Sequence, residues 1–399
     1  MKKNTRNIIV FILVCIFVLS GMLNKTFIKS MALDAYALVK TERSIDGFIS
    51  KVNKDSSEKT LYHKYLMDFN SLVMRQTGKQ VVQKGSDIVI RLDNEYLYDV
   101  WNKADNKTIK DSVNNVKKLS DISKKNGANF LYVMAPCKGL EQNYPMKFDN
   151  FSKDNCNNLL SELKGEKIPV LDLVRSMNDE FIKECDMFFA TDHHWKPESG
   201  FWAFGKIYNE LNSLYGFKYD EKITNIDNYN IKVYNDWFVG SQGKKTGRYF
   251  TKFGAEDIDI ITPKFETSLI EERPNVNESK SGDFLSSVMF MENIEEKDYY
   301  NLNPYAAYSG GDFRLQIITN KLNKGGKKVV YIGDSFSHVC VPFLSLGFSE
   351  IHKIDVRNYE WYVGEKINVQ EYIEKVKPDY VIVMYTGIMA DPVGRYDFF

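Results

Sequence analysis

The chain is poor in histidine, in paired cysteines and in net charge. Only five histidines occur in 399 residues: His63, His193, His194, His338 and His352. No His-x-Glu, Cys-x-x-Cys or second aspartate-rich cluster accompanies them, so no complete metal-ligand set is visible and none is expected. The five cysteines, Cys15, Cys137, Cys156, Cys185 and Cys340, also lack metal spacing. One disulfide is compatible with an exported protein, but reduced buried thiols are the default. Lys plus Arg and Asp plus Glu both total 53. That balance lacks the basic excess or stripe of a nucleic-acid binder. No internal repeat or low-complexity tract stands out, and no cofactor motif is present.

What the chain does have is apolar mass. Hydrophobic residues make up 43% and aromatics 14%, with 24 Tyr and 26 Phe, enough for one large domain or two ordinary ones. The N-terminus stands apart. A basic flank, Met1 to Arg6, precedes an apolar run from Ile8 to Leu23. Such a run is either the core of a signal peptide or a short membrane anchor. Small-residue cleavage sites are poor directly after it, which favours an uncleaved single-pass anchor with the basic end cytoplasmic and the body outside. Residues 1–30 are therefore expected as flank and anchor, 31–84 as a membrane-proximal helical stalk, and 85–399 as the main domain.

Within that domain, Ile109, Val113, Val116, Leu119 and Ile122 follow helical spacing. A buried strand is expected at 129–135, stopped by Pro136, and a second helix-then-strand unit ends near 168–173. Apolar strands recur at 328–333, 351–356 and 380–385. Helices alternating with short apolar strands predict an α/β fold with a mostly parallel sheet flanked by helices. From about 215 to 305 the pattern breaks into short strands and turns, with charged loops near Glu271–Ser281. This stretch is expected to be a β-rich insertion that caps or walls a site.

Two strings carry the chemistry. Gly333-Asp334-Ser335-Phe336-Ser337 follows the apolar run Lys328–Ile332. A serine there projects from the carboxyl end of the sheet, where open α/β folds place ligands, and the adjoining helix start offers free N–H groups to an oxyanion. A turn and helix cap would look the same; Ser337 is an alternative hydroxyl, and His338 reads as a surface or capping residue. The second string is Thr191-Asp192-His193-His194-Trp195. On an extended segment Asp192 and His194 share a face and His193 points away, so the carboxylate would orient His194 toward a distant serine. A polar turn capping the helix at Lys196-Pro197 is the plain alternative. Asp-His-His also resembles parts of metal-dependent phosphoesterase motifs, but nothing completes a coordination sphere.

Taken jointly, Thr191-Asp192-x-His194-Trp195 followed much later by Gly333-Asp334-Ser335 resembles the DHHW family of SGNH-hydrolase-like proteins, akin to the alginate O-acetylation proteins AlgJ and AlgX. The order is permuted relative to ordinary SGNH hydrolases, in which the serine comes first. Lesser matches are Pro136-x-Lys138, Gly240-Ser241 with Lys244, and Tyr308-x-Gly310-Gly311-Asp312. The likeness spans about 85–399. It implies Ser335 as nucleophile, His194 as general base and acid, and Asp192 as the residue orienting it. The asparagine block of ordinary SGNH enzymes is not evident, so Gly310, Gly311 or the N–H of Ser335 itself stand in as oxyanion donors.

Two functions follow as expectations. The first is an extracytoplasmic O-acetyltransferase or acetylesterase acting on a cell-surface or secreted polysaccharide. Its acetyl groups would be supplied by a multi-span membrane acyltransferase; aromatics such as Trp237 and Tyr234 could stack on sugar rings, although core packing is the expected role for most of them. The second is a membrane-anchored, noncatalytic scaffold or polysaccharide-binding protein.

Overall fold

The computed structural model describes Lys29 and residues 63–399, except 86, 141, 143, 145–147 and 388–393. The expected anchor, and most of the expected stalk, lie outside these residues. Among the described residues no helix is long and apolar enough to cross a membrane.

The chain forms two compact units. The smaller contains helix α1 (His63–Gln76) and the short turn Arg248–Phe250. Here Arg248 pairs with Asp68 at 2.8 Å, and the Ser71 hydroxyl accepts the Tyr249 N–H.

The larger unit opens with a three-stranded antiparallel sheet: β1 (Val81–Lys84), β2 (Asp87–Arg91) and β3 (Leu97–Asp99). Strand β1 thus falls inside the span expected to be stalk. Helix α2 (Asn106–Lys125) begins at the cap Asp105, whose carboxylate accepts the Thr108 N–H. Its Ile109, Val113, Val116 and Leu119 are buried, as their spacing predicts. It leads into β4 (Asn129–Ala135), then α3 (Ser152–Gly165), β5 (Val170–Asp172), α4 (Leu173–Asp179) and the long α5 (Pro197–Tyr215). Proline at the first position of α5 loses no internal bond, and Gly216 closes the helix in the left-handed conformation.

A hairpin of β6 (Tyr229–Phe238) and β7 (Glu256–Pro263) carries α6 (Ser241–Thr246) in its loop and is followed by β8 (Leu269–Arg273) and β9 (Glu278–Gly282). The chain ends with β10 (Leu315–Asn320), β11 (Lys328–Gly333), α7 (Ser337–Leu344), β12 (Glu350–Ile354), α8 (Val369–Val376) and β13 (Tyr380–Thr386).

The main sheet has eight strands in the order β5-β4-β13-β11-β12-β10-β8-β9. The first five are parallel; β10, β8 and β9 add antiparallel pairs. The sheet is therefore mixed: five adjacent parallel strands, in keeping with the expected mostly parallel arrangement, are extended at one edge by antiparallel pairs. The stretch expected as charged loops supplies β8 and β9, which extend the main sheet instead of belonging to a separate insertion. The buried charge there is paired: Arg273 Nε donates to Glu271 at 2.8 Å, and Gln316 Nε2 donates to the same carboxylate at 2.8 Å. A strand can carry such residues once neighbours satisfy them.

Both faces of the parallel strands are covered. Phe130, Tyr132, Val330, Ile332, Val381 and Val383 pack with α2, α3 and α8 on one face. Leu131, Val133, Val329, Tyr331, Ile382 and Met384 face α5 and α7 on the other. Period-two alternation thus divides each strand between two cores, which is why these strands read as continuous apolar runs.

Candidate active site

The carboxyl ends of four neighbouring parallel strands open on one cavity of about 480 Å³. Cys137 and Lys138 come from beyond β4, Asp334 and Ser335 from beyond β11, Arg357 from beyond β12, and Thr386 from the end of β13. This is the crevice that parallel sheets offer to ligands. Ser241, Gln242 and Lys245 wall it from the loop of the β6–β7 hairpin.

Ser335 sits in a tight turn between β11 and α7. Asp334 organises that turn: its carboxylate accepts the Phe336 N–H at 3.0 Å, and its carbonyl accepts the Ser337 N–H at 3.0 Å. The Ser337 hydroxyl also donates to the Asp334 carbonyl, so Ser337 is a buried structural group and not a second cavity hydroxyl. Gly333 is needed for space and not for dihedral freedom. A Cβ there would come 2.9 Å from the Tyr331 ring and 3.2 Å from the Met384 carbonyl. The backbone N–H of Ser335 has no hydrogen-bond acceptor among the described residues.

The structure brings the three predicted residues together. His194 Nε2 lies 2.7 Å from Ser335 Oγ, and His194 Nδ1 lies 2.6 Å from Asp192 Oδ1. Asp192 is buried, and burial alone would raise its pKa. The neighbouring imidazoles and the hydrogen bonds it accepts outweigh that cost and hold the carboxyl well below its usual range.

His193 departs from expectation. The segment is not extended, because Asp192 Oδ1 also accepts the His194 backbone N–H at 2.8 Å and bends the chain. His193 therefore does not point away: its ring lies 3.9 Å from that of His194, and its Nδ1 is 2.9 Å from Ser241 Oγ. Burial and the adjacent His194 push the His193 imidazole down, favouring the neutral form.

Distant segments hold this loop. Glu256 accepts the N–H groups of Ala190 and Thr191 at 2.6 and 2.7 Å and the Thr191 hydroxyl at 2.5 Å. Buried Lys138 donates to the carbonyls of Ala190 and Asp192 at 3.0 and 2.7 Å, and to Gln242 at 3.0 Å. Burial pulls its pKa down to about 8 against the pull of surrounding carboxylates. A Cβ at Gly240 would overlap Asp192, so the glycine lets the hairpin loop reach the carboxylate. Trp195, fully buried, donates Nε1–H to the Phe336 carbonyl at 3.1 Å and ties the two loops together. Tyr305 stacks on His194 at 4.5 Å. Lys138, Gly240 and Ser241 were visible as minor sequence matches. Glu256, Gln242 and Tyr305 carried no signal, because only the fold brings them near.

Other expectations do not fit. The Gly310 N–H donates to the Ala306 carbonyl at 3.1 Å, and neither Gly310 nor Gly311 lines the cavity. The two glycines expected as oxyanion donors are thus not among the residues that wall the cavity, whereas Ser335 is. Trp237 and Tyr234 pack edge-to-face against each other at 5.5 Å and lie against the core, away from the cavity lining. His338 is buried 3.1 Å from Asp312, not at the surface. Among the described residues one group, Asp192, His193 and His194, brings three possible metal-ligand atoms within 4.8 Å of one another. Its imidazoles already face Ser335, Asp192 and Ser241.

Fold and site together define an α/β protein with a Ser-His-Asp arrangement at the carboxyl edge of its sheet. Comparison with known proteins agrees with the family that the two motifs point to. Residues 93–218 match the family model described as the SGNH hydrolase-like domain of the acetyltransferase AlgX. PatB1 of Bacillus cereus, solved with a sulfonyl adduct, superposes with a TM-score of 0.62 at 20% identity, covering 80% of this chain and 99% of that one. A DHHW family protein from Eubacterium siraeum superposes with a TM-score of 0.58 at 16% identity, covering 79% of this chain and 96% of its own. At these identities the likeness is one of fold. No curated protein matches the sequence.

Proposed function

We propose that this chain is an extracytoplasmic, serine-dependent O-acetyltransferase or acetylesterase acting on a cell-surface or secreted polysaccharide. The observation that carries the reading is the unbroken hydrogen-bonded series Ser335 Oγ, His194 Nε2, His194 Nδ1 and Asp192 Oδ1 at 2.7 and 2.6 Å. In this mechanism Ser335 attacks an acetyl carbonyl while His194 Nε2 takes its proton. Asp192 fixes the tautomer and stabilises the imidazolium. The oxyanion forms beside the unengaged Ser335 N–H. His194 returns the proton to the leaving oxygen, and acetyl-Ser335 remains. A sugar hydroxyl, deprotonated by His194, then takes the acetyl group; water does so in the esterase variant.

The apolar run at 8–23 supports attachment to the membrane with the body outside. A multi-span acyltransferase would supply the acetyl groups. The test is acetate release from 4-nitrophenyl acetate by the full-length chain. Ser335→Ala is expected to remove it by a factor of 10³ or more, as triad loss does elsewhere (about 10⁴ and above). A sulfonyl fluoride is expected to modify Ser335, as a peptide map would show. Undiminished turnover by the Ser335→Ala protein sinks this assignment.

A further inference from the structure

Beside the cavity, the chain leaving β12 builds an exposed aromatic feature that the proton-transfer series does not use. Residues Tyr359 to Tyr362 form a turn closed by the Tyr362 N–H on the Tyr359 carbonyl at 3.1 Å. Trp361 sits at its tip with 64% of its surface exposed, the Tyr359 ring stacked against it at 4.2 Å and 12°. Tyr362 meets the Tyr359 ring edge-on at 5.4 Å and 84°.

The base of this turn is anchored in the buried interior. The Tyr362 hydroxyl donates to Asp355 at 2.7 Å, and Arg357 donates to the Tyr359 hydroxyl at 2.9 Å. Arg357 in turn binds Asp355 and Asp312. Tyr359 and Arg357 both line the cavity that holds Ser335.

Loops that owe their order to apolar packing normally turn their large rings inward. Here two rings are held by polar anchors, and the largest, Trp361, is presented to solvent on the one of them, Tyr359, that lines the cavity. Exposed, rigidly held aromatic surface of this kind marks a binding site. The outer face of Trp361 is flat, apolar and single, which suits the C–H face of a pyranose ring. The cavity lined by Tyr359 also holds Lys245, Asp87, Asp99 and Asn102, polar groups suited to the hydroxyls of a following sugar. A peptide or a lipid chain would instead need a continuous apolar groove, whereas this cavity is lined by charged groups.

We propose that Trp361, stacked on Tyr359, is a glycan platform that holds a sugar ring of the polysaccharide acceptor while a neighbouring unit reaches Ser335. This rests on the polysaccharide reading above and adds a location for the polymer. It also moves the sugar-stacking role from Trp237 and Tyr234 to the loop after β12.

The test separates binding from chemistry. Full-length Ser335→Ala protein, which cannot turn over by the proposed route, is titrated with polysaccharide extracted from the envelope of the organism that encodes the chain. Retention is then compared with that of Ser335→Ala/Trp361→Ala and Ser335→Ala/Trp361→Phe. Retention is expected to fall by roughly tenfold or more for the alanine variant, the effect of losing one central aromatic anchor. The phenylalanine variant is expected to recover most of it. Thermal midpoints of all three serve as the folding control, since an exposed side chain at a turn contributes little to stability. Equal retention with and without Trp361, or no retention by any of the three, overturns the platform. Neither result bears on Ser335-dependent ester cleavage, whose failure would show separately in the 4-nitrophenyl acetate assay.

Discussion

Ser335 and His194 meet at hydrogen-bonding distance, yet their loops are supported in contrasting ways. The serine turn is organised locally. Asp334 bonds Phe336 and Ser337 within three residues, and β11 and α7 sit immediately on either side. The Asp192–His194 loop has no such frame of its own. It hangs on Glu256, Lys138 and the Gly240-Ser241 backbone, which lie between 49 and 66 positions away in sequence. The serine is thus placed by a strand and a turn, whereas the imidazole that meets it is placed by the assembled fold. Damage far from the reacting atoms should therefore fall mainly on the imidazole side.

Breaking that comparison begins at the reacting side chains. Asp192→Asn leaves a similar shape but permits the wrong imidazole tautomer, and acetate release should drop about 10³-fold or more. A small change would mean that Asp192 only shapes the loop. Next comes Glu256→Gln, which presents an amide N–H₂ or a single neutral acceptor to three donors. It should slow ester cleavage about 10²-fold through misplacement of His194 and destabilise the fold by about 2 kcal/mol, read by chemical denaturation. Normal activity in this variant would erase the contrast between the two loops.

On the serine side, titration offers a subtler probe. Burial, with Lys353 nearby, pushes the His338 imidazole down to about 4 against the pull of Asp312. The unfolded chain, with a histidine near 6.5, therefore takes up the proton first, and stability falls as pH drops from about 6.5 toward 4. The share due to His338 should be about 2 kcal/mol between pH 7 and pH 5, and His338→Gln should flatten that part of the slope. An unchanged slope would mean that other groups govern it. The smallest effect is expected for Ser337→Ala. Losing one hydroxyl bond to the Asp334 carbonyl should cost about 1 kcal/mol and leave turnover in place. Loss of turnover would make the serine turn as dependent on remote support as the imidazole loop.

Much of the architecture was legible because the central parallel strands bury both faces. The expected runs at 129–135 and 328–333 coincide with β4 and β11, and α2 follows its apolar spacing. Strands β8 and β9 were not legible. Leu-Ile-Glu-Glu-Arg and Glu-Ser-Lys-Ser-Gly read as loops until Gln316, Arg273 and the antiparallel ladder satisfy them. His193 was misplaced for a related reason. Alternation assumes extended backbone, and the Asp192 carboxylate removes that condition by closing on the His194 N–H. Glu256 and Tyr305 stood outside any motif, so sequence offered nothing to select them.

By itself the sequence determined the central parallel strands, the turn that exposes Ser335 and the pairing of a carboxylate with an imidazole two residues on. Those features arise from backbone geometry and apolar periodicity over a few residues. Tertiary structure decided how the sheet mixes its strand directions, which N–H remains open beside the serine, and where Trp361 is displayed. Each of these depends on which distant partner fills a hydrogen bond or covers a ring, and a folded chain alone supplies that partner.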